Sequence, residues 1–291
     1  MNDIKLNKSC FLCTYQGDDR KSIFTLIERA KEHGFDAIEP YEIRDIWDDE
    51  TGIETAKRAK EKLDEYGMKC SCLSRGINML SHADPVKELK KAVDVAHAIG
   101  SPYLHHTMQL ALTYKDLPLW QDVEPKFVEV SREVAYYAGE KGMECIYEDQ
   151  GYLINTPERL NSIITKIGLP NVGVCLDVGN SLYYEIPAEE YAGKFAKLIK
   201  HVHVKDYIRK TTCPGRTQGW GRSIEGNYLY HCPIGHGVVD FEKIMTILIR
   251  EGYNGYYSLE GCGMSDVNAG VKLCLDNLQY FFDRAKENVE G

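Results

Sequence analysis

The sequence predicts an α/β fold in one domain over residues 1–291, a (β/α)8 barrel with a long loop after its seventh strand. Three observations carry this. Short apolar runs alternate with longer amphipathic segments about eight times along the chain, which is the rhythm of a strand-plus-helix barrel. The length of 291 residues suits one such barrel with room for a buried core. In the C-terminal half, four runs each end on an acid or imidazole: Glu148 after Glu144-Cys145-Ile146-Tyr147, Asp177 after Val174-Cys175-Leu176, His203 after His201-Val202, and Glu260 after Tyr257-Ser258-Leu259.

The strands are expected near residues 9–14, 37–41, 69–74, 103–106, 144–148, 173–177, 201–205 and 256–260. The helix at 21–33 places Ile23, Leu26, Ile27 and Ala30 on one face and stops at Gly34, a residue suited to the left-handed C-terminal position. Asp84-Pro85 opens the next clear helix with a cap and a proline in its first turn, and Gly100 closes it. Thr156-Pro157-Glu158, ahead of Leu160, Ile163 and Ile164, reads the same way. A theme of glycine, short turn and strand ending in Glu recurs at Gly34–Glu39, Gly142–Glu148 and Gly252–Glu260. The connection over residues 205–236 breaks the rhythm; it is rich in Gly, Arg, Thr and aromatics and is expected to be a lid over the catalytic face.

A hydrophobic fraction of 43% and a charged fraction of 27% exclude disordered and fibrous classes. The net charge of −9 opposes nucleic-acid binding, which needs a cationic surface. Met1-Asn2-Asp3-Ile4-Lys5 has no apolar signal core and no run is long enough to span a bilayer, so a cytoplasmic protein is expected. Cys10, Cys70, Cys72, Cys145 and Cys175 of the ten cysteines fall inside predicted strands as small hydrophobes, in keeping with a reducing compartment. Cys10-Phe11-Leu12-Cys13 and Cys70-Ser71-Cys72 have no partner motif at zinc-ribbon spacing.

Strand ends converge on the carboxyl face of a barrel, so Glu148, Asp177, His203 and Glu260 form a ligand set for one divalent cation: Mn²⁺, Co²⁺ or Mg²⁺, with Zn²⁺ also compatible. Such a set leaves positions for substrate oxygens and suits proton abstraction beside a carbonyl through an enediolate, with a carboxylate at the metal's edge moving the proton. His201 and His203 share a face of one strand; one serves as ligand and the other as a hydrogen-bonded neighbour or substrate contact. Glu39 ends the second strand, and either His105 or His106 should face the barrel mouth; His106 is taken as the substrate contact. Trp47, Trp120 and Trp220 fall in loops on the same side.

Glu148, Val174-Cys175-Leu176-Asp177, His201-Val202-His203, Pro233-Ile234-Gly235-His236-Gly237-Val238-Val239-Asp240-Phe241 and Leu259-Glu260 together resemble the xylose-isomerase-like barrel superfamily, and within it the ketose 3-epimerases and their sugar-phosphate relatives. The resemblance implies metal ligation by Glu148, Asp177, His203 and Glu260, with the two glutamates as acid and base on a keto-sugar or sugar phosphate. It also implies substrate contact by Arg209, six positions after the metal histidine. Two departures stand out: Asn180 replaces a histidine and Ile154 replaces a second glutamate, and an amide binds a sugar hydroxyl but shuttles no proton. An inosose-type dehydratase is the chemical rival, since Lys205 beside the metal histidine serves either enzyme. An apurinic endonuclease is remote, because its further histidines are missing. The expected partner is a small carbohydrate, with neither nucleic acid nor membrane involved; a homo-oligomer is compatible with the chain.

Overall fold

The computed structural model describes residues 4–11, 22–110 and 114–290. Among these, nine parallel strands form one sheet: β1 (Asn7–Phe11), β2 (Ala37–Glu39), β3 (Lys69–Cys70), β4 (Leu73–Arg75), β5 (Tyr103–His106), β6 (Glu144–Glu148), β7 (Val172–Asp177), β8 (Ile199–Val204) and, after a three-stranded insertion described below, β12 (Tyr256–Leu259). Their order is β3-β2-β1-β12-β8-β7-β6-β5-β4. The two ends, β3 and β4, are consecutive pieces of one extended segment, and a parallel bridge from Tyr41, just after β2, to Ser74 in β4 joins them, so the sheet closes as an eight-membered barrel with one interrupted stave. Leu12, Cys13 and Thr14, expected in the first strand, lie outside the described residues.

Helices follow the strands: α1 (Ile23–Glu32), the short α2 (Arg44–Trp47), α3 (Gly52–Glu65), α4 (Pro85–Ile99), α5 (Trp120–Glu140), α6 (Pro157–Ile167), α7 (Ala188–Phe195), α8 (Phe241–Arg250) and α9 (Val267–Glu290). The predicted caps form. Asp84 accepts from the Lys87 N–H, Thr156 from Arg159 and Asp240 from Lys243, each satisfying a backbone donor that the helix start leaves open. Gly100 and Gly168 take left-handed φ values of 79° and 68° as helix C-caps. No described helix is long and apolar enough to cross a membrane.

Alternation along the strands sorts side chains between two environments. Leu104, Cys145, Tyr147, Leu176, Val202 and Leu259 join the large apolar layer under the helices. Inside the barrel the floor is small, with Cys72, Ile146 and Cys175 in contact and Ser9 Oγ 2.6 Å from Ser71 Oγ. Above that floor the same staves turn polar, and this change of composition along the barrel axis creates the site.

The predicted long loop after the seventh barrel strand is a folded insertion. β9 (Asp206–Lys210), β10 (Trp220–Arg222) and β11 (Tyr228–Cys232) form an antiparallel sheet ordered β10-β11-β9, with Tyr207 opposite His231 and Trp220 opposite Tyr230. Each strand is short and aromatic, and the pairing depends on cross-strand contacts such as Trp220 against Tyr230 at 5.0 Å. Asp206 moors the sheet: its buried carboxylate accepts from the N–H groups of Tyr207, Gly235, Gly237 and Val239 at 2.8–3.1 Å. A Cβ on Gly237 would stand 2.2 Å from that carboxylate, which explains the glycine in Gly235-His236-Gly237.

Candidate active site and metal centre

Register brings the predicted ligands to one level. Asp177 on β7 is the direct partner of His203 on β8, Ser258 is the partner of His203 on the other side, and Glu148 closes β6. Ligand atoms of Glu148, Asp177, His203 and Glu260 all lie within 4.8 Å of one another. His203 Nδ1 is 3.1 Å from Glu148 Oε1, 3.5 Å from Glu260 Oε2 and 3.9 Å from Asp177 Oδ2.

The electrostatics fit a cation. Burial pushes the Asp177 carboxyl well above its usual range; Lys205 opposes that, and Glu260, Glu148 and Asp149 add to it. Asp177 Oδ1 accepts from the N–H groups of Gly179 and Asn180, while Oδ2 points into the cluster. The other imidazole nitrogen of His203, Nε2, is 2.9 Å from Glu39 Oε1, an arrangement that keeps its proton there and leaves Nδ1 free to ligate. Three carboxylates and a pre-oriented imidazole make a donor set that a divalent ion of the Mn²⁺, Mg²⁺ or Zn²⁺ kind satisfies.

Beneath this level lies a buried polar tier. Glu39 is fully buried and is bonded to His201 Nε2 at 2.7 Å as well as to His203, and Ser74 Oγ donates to it at 2.5 Å. Burial alone would raise the Glu39 pKa, but the two imidazoles pull it well below the usual carboxylate range. Ser74 Oγ is also 2.9 Å from His105 Nδ1, and His105 Nε2 approaches Glu148 Oε2 at 3.4 Å. Glu148, His105, Ser74, Glu39 and His203 therefore form a closed polar ring under the cluster.

Several expectations need correction. His201 is fully buried one tier below the cluster, bonded to Glu39. His105, not His106, turns inward. His106 points toward the helix layer, with its ring edge on Tyr147 at 5.1 Å and Nδ1 3.1 Å from the Thr107 carbonyl. Asn180 braces Glu148, donating to Oε1 at 3.0 Å from a buried position. Arg209 is not brought to the cluster; it pairs with Glu185 at 2.7 Å in a separate cavity lined by Val178, Leu182 and Val239. β6 and β12, which carry the two glutamates, stand three positions apart around the barrel. Trp47 lies under the Arg75 guanidinium, Trp120 packs on Phe127 and Arg159, and Trp220 on Tyr228 and Tyr230.

Lys205 lies beside the cluster. Its Nζ is 2.7 Å from Asp177 Oδ2 and 2.9 Å from Glu260 Oε2. Burial would lower its pKa, but Asp177 and Glu260 push it up, so it stays an ammonium. A small inner cavity of about 100 Å³ is lined by Phe11, Tyr41, His105, Glu148, His203 and Glu260, among others. It meets at Glu260 a wider chamber of about 590 Å³ lined in part by Lys205, Tyr183, Tyr207 and His231. Ser74, Asp149, Tyr207 and His231 escaped the sequence reading; only the position of Asp149 next to Glu148 carried a signal.

Comparison with known proteins places this geometry. An inosose dehydratase of Glaesserella parasuis serovar 5 is 26% identical over 192 residues, covering 61% of this chain and 63% of the relative. The chain thus matches under two thirds of that relative's length. Among solved structures, an L-ribulose 3-epimerase superposes with a TM-score of 0.77 at 17% identity, covering 98% of this chain and 97% of the other. A xylose isomerase-like TIM barrel protein from Mycobacterium smegmatis in complex with magnesium gives 0.71 at 18%, covering 98% of each. These structural likenesses establish the fold. The model of the Xylose isomerase-like TIM barrel family matches residues 27–283, and the chain belongs to that family.

Proposed function

We propose that this protein is a metal-dependent carbohydrate enzyme that takes the proton from the carbon beside the carbonyl of a polyhydroxy ketone and then expels the hydroxyl of the next carbon as water. The observation that carries this reading is Lys205, an ammonium on the wall of the wider chamber, held between Asp177 and Glu260, the residue at which the two cavities meet. A divalent ion held by Glu148, Asp177, His203 and Glu260 would polarise the substrate carbonyl and acidify the neighbouring C–H bond.

The chain supplies the proton traffic. Glu260 is the more accessible glutamate, with a side chain 22% exposed against 4% for Glu148, and it accepts the proton as the C–H electron pair moves toward the carbonyl. Collapse of the resulting enolate breaks the C–O bond on the next carbon, and the Lys205 ammonium gives its proton to the departing oxygen. Glu260, 2.9 Å away, then returns the abstracted proton to Lys205, and the cycle closes with one water released. Asn180, His105 and His203 fix Glu148, while Phe11 and Tyr41 exclude solvent from the inner cavity.

Dehydration is favoured by the inosose dehydratase relatives and by Asn180 and Ile154, which stand where the ketose 3-epimerases carry proton-bearing groups. A second reading, epimerisation, is favoured by one feature: Glu148 and Glu260 both line the inner cavity, and proton return from the second carboxylate would invert the carbon. The test is NMR in D2O of inososes and keto-sugars incubated with Mn²⁺-loaded protein. Dehydration yields a product lacking one oxygen-bearing carbon signal, with enol absorbance in the ultraviolet. Epimerisation yields deuterium at a retained carbinol carbon. Absence of C–H exchange in every compound would defeat both readings.

A further inference from the structure

We infer that the reacting sugar carries a second, uncharged ring, and that the wider chamber beside Glu260 is the subsite for that ring. This substrate class rests on the proton-abstraction reading above.

The two cavities differ in size and lining. The inner one, about 100 Å³, is bounded by the ligand cluster and holds the reacting end only. The chamber of about 590 Å³ continues from Glu260 away from the cluster, into space that a lone sugar ring would leave mostly to water. Rings surround it. Tyr183 meets Tyr207 edge-on at 5.9 Å, Tyr207 meets His231 at 5.6 Å, and Tyr230 stands on the same wall. Leu229 and Met264 complete the apolar surface. The insertion is shaped for this wall: a Cβ at Gly221 would lie 2.6 Å from the Tyr183 hydroxyl, and one at Gly219 would lie 3.3 Å from the Tyr230 ring. Aromatic faces bind flat rings by stacking, sugar or phenol alike.

A phosphate is the obvious alternative extension, and the described residues of the chamber offer little to hold one. Lys205 is the one Lys or Arg among the described residues that line it, and its ammonium is already engaged by Asp177 and Glu260. The chamber reaches the start of α9, where free N–H groups would suit an anion, but the Asp266 carboxylate occupies that end by accepting from Ala269 N at 3.1 Å. Glu260 adds a further negative charge. Two basic residues of the insertion are engaged elsewhere: Arg209 pairs with Glu185, and Arg222 lies 4.2 Å over the Tyr228 ring. His231 does not supply a charge either, since burial and then Lys205 lower its pKa.

The test is saturation-transfer-difference NMR with competition titration on the full chain, using glucose, glucose 6-phosphate, phenyl β-glucoside and cellobiose, with and without Mn²⁺. The two-ring ligands should bind at least tenfold more tightly than glucose or its phosphate, with saturation strongest on the second ring. The tighter of phenyl glucoside and cellobiose identifies that ring as aromatic or as a second sugar. Tyr230→Ala, at a residue 42% exposed, should remove most of the advantage and leave glucose binding unchanged. Preference for the phosphate, equal binding of one-ring and two-ring ligands, or an equal loss for all ligands in Tyr230→Ala would overturn the subsite. Two-ring binding without C–H exchange in any keto-sugar would uphold the subsite and defeat the catalytic reading; exchange of free keto-sugars without a two-ring advantage would do the reverse.

Discussion

Glu39 is fully buried beneath the candidate ligand cluster, yet its replacement by Gln should weaken metal binding by about 10- to 100-fold, the range for groups that orient a ligating imidazole. Its carboxylate, fully buried, accepts from His201 Nε2 at 2.7 Å, His203 Nε2 at 2.9 Å and Ser74 Oγ at 2.5 Å. A glutamine offers one acceptor oxygen and one donor group to these partners. If its NH2 faces His203, the imidazole must present Nε2 as acceptor and carry its proton on Nδ1, the nitrogen that points at Glu148 and Glu260. If its oxygen faces His203, the clash transfers to His201, whose Nδ1 has no hydrogen-bond partner to offer in exchange. Either way about one charge-assisted bond is lost, ~1.5–3 kcal/mol, which matches the expected fall in affinity.

The assay is Mn²⁺ titration followed by the electron-spin signal of the free ion, with unfolding in EDTA as the metal-free control. Glu39 also sets an acid limb. Because its folded pKa lies below the unfolded value, its contribution to stability is present above the ordinary carboxylate range and disappears as pH falls through the folded pKa. Glu39→Gln should lack that limb. An Mn²⁺ affinity within twofold of the parent protein would refute the role assigned to Glu39.

Lys205→Met should cut turnover by about 10² or more while leaving Mn²⁺ affinity equal or higher, since the ammonium competes for Asp177 and Glu260; a joint loss of both would make Lys205 a purely structural cation. Gly237→Ala places a Cβ 2.2 Å from Asp206 Oδ1 and 2.4 Å from the Tyr207 carbonyl, so stability measured by urea unfolding should fall by about 1–3 kcal/mol or more. His106 is buried with its pKa pushed down to about 4, so the unfolded chain binds the extra proton between about pH 6.5 and 4. Stability should therefore fall as pH drops through that window, by about 3 kcal/mol at its lower end, and His106→Leu should flatten the dependence; an unchanged slope would place the titration elsewhere.

The metal cluster was legible because each of its members ends an apolar run, and parallel strands in a barrel end on one face. What lay beyond was set by parity and by tertiary pairing. Whether His105 or His106 faces inward depends on the register of β5 against β4, where Ser74 pairs with His105, and two adjacent histidines carry no mark of it. Substrate contact by Arg209 is what the family resemblance implies, but residues 206–210 form a strand and its guanidinium pairs with Glu185. The insertion read as a loop because residues 213–221 are rich in glycine and flank strands of three to five residues, too short to show alternation. Ser74 acts only through partners that are distant in sequence, on β2 and β5, so no local pattern announces it.

The support given to the two glutamates divides their labour. Glu148 is held by a hydrogen bond from Asn180 and flanked by His203 Nδ1 at 3.1 Å and His105 Nε2 at 3.4 Å, and the Ser74–Glu39 tier beneath fixes the imidazoles beside it. Glu260 follows the last residue of β12, with Lys205 Nζ at 2.9 Å, His203 Nδ1 at 3.5 Å and Gly261 next in the chain at a φ of 82°. A carboxylate braced from three sides stays where a ligand must stay. In the proposed reaction Glu260, the more exposed of the two carboxylates and the one at the chamber's edge, accepts the carbon-bound proton, while the buried tier below fixes the other ligands.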